Sequence, residues 1–94
     1  MSVEFDKEAK QEYLDAIRFY GKTAERFYDA LAACIQKIRD SPTRFRQIAP
    51  NIRTCRVEKF PYQLLFTLKE DRIYIIAVKH DRRAPDYWRH RITR

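Results

Sequence analysis

The spacing of hydrophobic positions changes period twice along the chain. Val3 and Phe5 alternate with Ser2 and Glu4, which predicts a short strand ending at Asp6. Asp6 is placed to cap a helix, its carboxylate accepting N–H groups that the first turn leaves free. Ala9, Tyr13, Ala16, Ile17 and Tyr20 then recur at three- and four-residue steps, the single stripe of an amphipathic helix. Gly21, the only glycine, stands where a left-handed residue ends a helix. Thr23 is placed to cap a second helix with the stripe Ala24, Phe27, Tyr28, Leu31, Cys34, Ile35 and Ile38. A link as short as Gly21-Lys22 forces the two helices into an antiparallel hairpin. Ser41-Pro42 stops the second, since proline cannot continue a helix and disfavours helical geometry in the residue before it.

Residues 43–52 show no clean period and read as a loop pinned by Phe45 and Ile48. A strand follows over 53–58, with Cys55 and Val57 facing one way and Thr54, Arg56 and Glu58 the other. Pro61 marks a turn or sheet edge. Two apolar runs, Phe60 to Phe66 and Ile73 to Val78, flank the charged turn Lys69-Glu70-Asp71-Arg72 and predict a central β-hairpin. Their aromatic and β-branched residues suit a pleated, half-buried surface. Beyond Val78 the period fails, Pro85 blocks an early helix, and Asp86 to Arg91 allow one short helical turn. The prediction is an α+β fold: an N-terminal strand and a helical hairpin on one face of a mostly antiparallel sheet of three to four strands. Residues 1–94 make a single domain, which at this size buries somewhat over ~60% of its unfolded surface.

Charge sharpens this picture because it is uneven. Residues 1–38 hold six Lys/Arg against seven Asp/Glu, and residues 39–94 hold fourteen against six. A basic half on a small domain points to nucleic acid, the ribosome or an acidic protein partner, or else to a solubilising surface. Cys34 and Cys55 make neither a disulfide framework nor a metal motif and read as buried small hydrophobes. No secretory signal and no apolar run of ~20 residues is visible, so a cytoplasmic location follows by default. A single glycine excludes a Gly-rich phosphate loop, and two scattered histidines and cysteines give no zinc spacing. No cofactor is implied.

General acid–base chemistry or electrostatic binding remains, and both point to the end of the last strand. There His80 stands among Lys79, Arg82, Arg83 and, further on, Arg91. Cleaving RNA through its 2′-hydroxyl needs a proton acceptor, a proton donor and fixed cations around the phosphorane. Histidine suits either proton role near neutral pH, and arginine matches phosphate with a bidentate fork. The plainer reading makes His80 and Asp81 a structural turn pair and gives the arginines an acidic partner. Arg53 and Arg56 extend the basic surface from opposite faces of one strand. Tyr87 and Trp88 suit base stacking or, for Trp88 above all, packing of the tail on the sheet. Glu8, Glu12, Asp15 and Asp29 read as a solvated helix face.

The element order, with Pro42, Phe45, Arg53, Phe60-Pro61-Tyr62, Ala77-Val78, His80, Arg83, Pro85, Trp88 and Arg91, resembles the RelE/ParE superfamily of type II toxins. The resemblance covers essentially the whole chain. It implies a small bacterial toxin neutralised by an antitoxin whose C-terminal segment wraps it. An acidic, amphipathic antitoxin segment would cover an apolar groove beside the helical hairpin, at Phe27, Leu31 and Ile35. RelE-like members cut mRNA on the ribosome, whereas ParE-like members inhibit DNA gyrase without being nucleases. RelE-like nucleases commonly carry Arg directly after the central-strand Tyr, where this chain has Gln63, and Arg just past the last strand, where it has His80-Asp81. The ParE-like reading is therefore placed first. The alternative is a nuclease with His80 and Arg83 as catalytic residues. On either reading Arg53, Arg56, Lys79, Arg82, Tyr87 and Arg91 are candidates for contacting RNA or another target.

Overall fold

A computed structural model describes residues 1–93. Strand β1 (Ser2–Phe5) leads into helix α1 (Lys7–Tyr20) and, through a 3-10 turn at Gly21–Thr23, helix α2 (Ala24–Asp40). Strands β2 (Gln47–Ala49), β3 (Ile52–Val57), β4 (Tyr62–Lys69) and β5 (Arg72–His80) follow, and a last 3-10 turn spans Arg89–Arg91. The sheet has the order β1-β5-β4-β3-β2. β1 joins β5 in parallel and the other neighbours are antiparallel.

The α+β class, the helical hairpin and the central hairpin stand as expected, and the sheet has one strand more than the predicted maximum. β2 falls in the stretch read as a loop. It is only three residues long, with Gln47 and Ile48 exposed, so it leaves no hydrophobic alternation to read. Backbone bonds to β3 define it instead. Asn51, at φ 64°, turns the chain back, and the Asn51 N–H donates to the Gln47 side chain at 3.0 Å.

Asp6 caps α1 as its position predicts, accepting from the Glu8 N–H at 2.9 Å. Gly21 ends that helix at φ 51°, donating its N–H to the Ile17 carbonyl. Thr23 does not cap α2. Its hydroxyl turns back to donate to the Tyr20 carbonyl at 2.9 Å, a local bond that the 3-10 turn makes available.

The main core lies between helices and sheet and contains Phe27, Leu31, Ile38, Val57, Leu64, Phe66, Ile73 and Ile75. Phe27 is its aromatic centre, with ring centroids 5.1 Å from Tyr20, 5.2 Å from Phe60 and 5.1 Å from Tyr62. A second cluster on the other face joins Ile52, Leu65, Ile76 and Ala77 to Trp88. Trp88 is thus a packing residue, its indole N–H donating to the Pro85 carbonyl at 2.8 Å. The register steps from Leu65–Ala77 to Phe66–Ile75, so Ile76 is the extra residue of a β-bulge. Burial on both faces explains why Leu64 to Thr67 show no alternation.

Candidate functional site

β1 ends before β5 does. The Asp6 N–H still reaches the Ile75 carbonyl at 2.9 Å, but beyond that point β5 has no strand beside it. Its Ile76 carbonyl and Val78 N–H would be left without partners, a cost of about 1–3 kcal/mol for each group. Two side chains take the place of the missing strand. Glu12 Oε1 accepts from the Val78 N–H at 3.1 Å, and Arg91 Nη1 donates to the Ile76 carbonyl at 3.0 Å. Arg91 also donates to the two oxygens of Glu12 at 2.8 and 3.1 Å, and its Nε to Glu8 at 2.9 Å. The Tyr87 hydroxyl donates to Glu12. Burial, then Glu12, pushes the Tyr87 phenol above its ordinary range.

This clasp revises three expectations. Arg91 is 6% exposed and belongs to the framework rather than to a target-binding surface. Tyr87 is half-buried with its hydroxyl committed to Glu12. Glu8 and Glu12, expected on a solvated face, hold the tail to α1. Their i,i+4 spacing beside Ala9 and Ala16 was the available signal, but only the folded tail supplies their partner.

His80 ends β5 on the helix side, its ring centroid 5.0 Å from that of Tyr62. Its Nδ1 accepts the Arg82 N–H at 3.0 Å, leaving Nε2 to carry the proton of the neutral ring. A cavity of about 310 Å³ opens there, lined by Glu12, Asp15, Phe19, Tyr62, His80 and Arg83. Arg83 lies 3.9 Å from Glu12 and 3.9 Å above the Tyr87 ring. The two nuclease candidates, His80 and Arg83, therefore meet, but in the company of two carboxylates.

The opposite face carries the cations. Arg56, Gln63 and Lys79 are cross-strand neighbours on β3, β4 and β5. Arg56 is partly neutralised: its guanidinium donates to Asp81 at 2.7 and 3.2 Å and holds that carboxyl below its ordinary range. Lys79 is 9% exposed and makes no ion pair among the described residues, its ammonium donating to the His80 carbonyl at 3.5 Å and helping Arg56, at longer range, to hold the Asp81 carboxyl down. It lines a cleft of about 250 Å³ with Arg46, Gln63, Trp88, Arg89 and Asp86, whose carboxylate accepts from the Arg89 Nε at 2.8 Å and so offsets one of the cations. Arg46 is one of the arginines before the hairpin that, with Arg44, Arg53 and Arg56, the sequence offers as an extension of the basic surface, whereas Arg89 was missed because it lies in the tail, where no period assigns a face. Arg82 is exposed just past the strand end. Arg53 is turned inward, donating to the carbonyls of Thr43 and Phe45 at 3.0 and 2.7 Å, and braces the chain before β2.

The hairpin residues expected to meet an antitoxin separate in the same way. Phe27 is fully buried against the sheet and presents nothing outward. Leu31 and Ile35 line an open groove of about 580 Å³ with Val3, Phe5, Tyr13 and Tyr28, between the helices and β1.

The family model for the ParE toxin of the type II toxin–antitoxin system parDE matches residues 3–85. The chain belongs to the ParE toxin family. Its fold is similar to that of a chain in the chromosomal ParDE toxin–antitoxin system from P. aeruginosa. The TM-score is 0.73 at 16% identity, over 85% of this chain and 95% of that one. No curated protein matches the chain. A ParE-family toxin of a type II system has an antitoxin as its partner. The family match takes in both helices and all five strands and stops before Tyr87, so the clasp residue Arg91 lies outside the matched segment.

Proposed function

We propose that this ParE-family toxin arrests growth by binding and inhibiting DNA gyrase, without itself being a nuclease. One observation carries the reading: the catalytic candidates His80 and Arg83 meet beside two carboxylates, while Lys79 opens on the other face of the sheet. His80 and Arg83 share their cavity with Glu12 and Asp15, whose carboxylates repel a phosphodiester. Lys79, which makes no ion pair among the described residues, opens into the cleft on the other side. Arg91 and Tyr87 are bound to Glu12 and are not free to stabilise a phosphorane. What opposes phosphate chemistry at His80 is thus the charge around it, with Arg83 set beside Glu12 rather than free for a phosphorane.

The cationic cleft around Lys79, flanked by Arg46, Arg82 and Arg89, is the surface proposed to meet the target. The groove at Leu31 and Ile35 is proposed to take an apolar face of the antitoxin segment. The test combines a supercoiling assay with purified toxin and mapping of mRNA 5′ ends within minutes of induction. Gyrase inhibition with intact mRNA, retained in His80→Ala, is the expected result. In-frame cuts in translated messages, lost in His80→Ala while folding and antitoxin binding persist, would overturn it in favour of a ribosome-dependent nuclease.

A further inference from the structure

Cys34 and Cys55, scattered in the sequence, meet in the fold. Cys34 lies on α2 and Cys55 on β3, and their sulfur atoms are 2.7 Å apart. Both are free thiols and nearly buried, at 3% and 5% exposure. A disulfide requires about 2.05 Å between sulfurs, so closure of well under an ångström brings this pair to bonding distance.

The two sulfurs differ in their surroundings, Cys34 lying at a groove and Cys55 behind it. Cys34 lines an open groove of about 550 Å³ between α2 and the turn after β3, with Ala30, Ala33, Lys37 and Phe60 among its walls. Cys34 is only 3% exposed, so a local opening of this wall, short of unfolding the chain, is the route by which a small oxidant would reach it. The hydrogen bond from Cys34, then Lys37 and Arg44, draws the Cys55 thiol down against the opposing effects of burial and Glu58. The same contact, followed by burial, pushes Cys34 up. One partner is thus biased toward thiolate and the other toward thiol, the division of labour that thiol oxidation uses.

We propose that Cys34 and Cys55 are a redox-active dithiol that a peroxide converts into an internal disulfide, stapling α2 to β3. One sulfur attacks a peroxide oxygen, breaking the O–O bond and forming a sulfenic acid, and the expelled hydroxide leaves as water with the thiol proton. The second sulfur then attacks the first and displaces its hydroxyl, which leaves as water with the remaining thiol proton. Two thiols and one hydrogen peroxide give one disulfide and two waters. The bond closes a loop between residues 21 apart and ties the helix that carries Leu31 and Ile35 to the sheet. A reducing compartment keeps the pair as thiols, and a dithiol reductant restores them.

The test uses the purified full chain, reduced and then exposed to stoichiometric hydrogen peroxide while folded. Ellman titration in denaturant is expected to fall from two thiols to none. The intact mass should drop by two hydrogen atoms, the chain should remain monomeric on a non-reducing gel, and dithiothreitol should reverse all three changes. The thermal midpoint should rise on oxidation. Cys55→Ser should lose the mass decrease and leave Cys34 as a thiol or as a dimedone-trapped sulfenic acid. The proposal fails if the wild-type chain keeps both thiols, gains oxygen atoms, or forms disulfides only between chains. These readouts need only the wild-type protein, so a poorly folding variant does not blunt them.

Discussion

The helix side and the tail side of the sheet are covered by different means. On the helix side, two amphipathic helices bury a broad apolar surface, and Phe27 touches three aromatic rings at once. On the tail side, a few residues around Trp88 do the covering, and the open edge of β5 is closed by one Glu12–Arg91 pair. The first is redundant and apolar. The second is thin, polar and dependent on single residues, and it leaves room for the cationic cleft. The larger apolar core thus lies on one side of the sheet, and the surface proposed for target binding lies on the other.

The largest expected effect is on the helix side. Phe27→Ala should cost about 3–5 kcal/mol in urea unfolding, through lost burial and the cavity it leaves. The clasp should come close behind: Arg91→Ala is expected to cost about 3 kcal/mol, because it strands Glu12 and the Ile76 carbonyl together. The double variant Glu12→Gln/Arg91→Met should recover part of that loss, since it removes the uncompensated charge. If Arg91→Ala unfolds no more easily than the wild type, the contrast between the two sides collapses.

Lys79→Glu tests the cleft itself. Charge reversal in the cleft is expected to weaken gyrase inhibition by about tenfold or more, as loss of a desolvated charge contact does. Its unfolding midpoint is expected to fall, because Lys79 is nearly buried and helps Arg56 to hold the Asp81 carboxyl down, so inhibition is compared between samples shown to be folded at the assay temperature. Equal toxicity of Lys79→Glu and wild type would remove the cleft from the target surface.

Alkaline pH probes the clasp by another route. Tyr87 ionises near pH 10 when unfolded and higher when folded, so its contribution is full below about pH 10 and fades as pH rises through the folded value. Tyr87→Phe should flatten the decline of unfolding stability above pH 10. The smallest effect belongs to the exposed Arg56–Asp81 pair, where Asp81→Asn should change stability by less than about 1 kcal/mol.

Local patterns carried most of the fold. The stripes of α1 and α2, the Asp6 cap, the Gly21 stop and the central hairpin are each decided by residues close in sequence, and each is legible there. β2 was not, because three mostly exposed residues held by backbone bonds have no side-chain period. The site was legible in position but not in orientation. Tyr62, His80 and Lys79 were marked as one end of the sheet, but strand pairing and the bulge at Ile76 decide which face each residue takes. The clasp was invisible for a related reason. Glu12 reads as an ordinary helix-surface carboxylate until the tail folds back across α1. Cys34 and Cys55, likewise, are unremarkable apart and meaningful only where helix and strand meet.

The parallel pairing of β1 with β5 has a consequence for how the toxin is made. Arg72 reaches back 68 residues to Glu4, and Arg91 reaches back 79 to Glu12. A ribosome releases a chain from its N-terminus at about 5–20 residues per second, so the helical hairpin emerges well before the sheet it must cover. Contacts this distant in sequence form last. The edge strand waits for β5, and β5 waits for the tail to close its open half. A message cut or a ribosome stalled before Arg91 is decoded would yield a chain with exposed helix faces and an unsealed strand. The seal on β5 can therefore form only after Arg91 has been translated, long after the helix that carries Glu12.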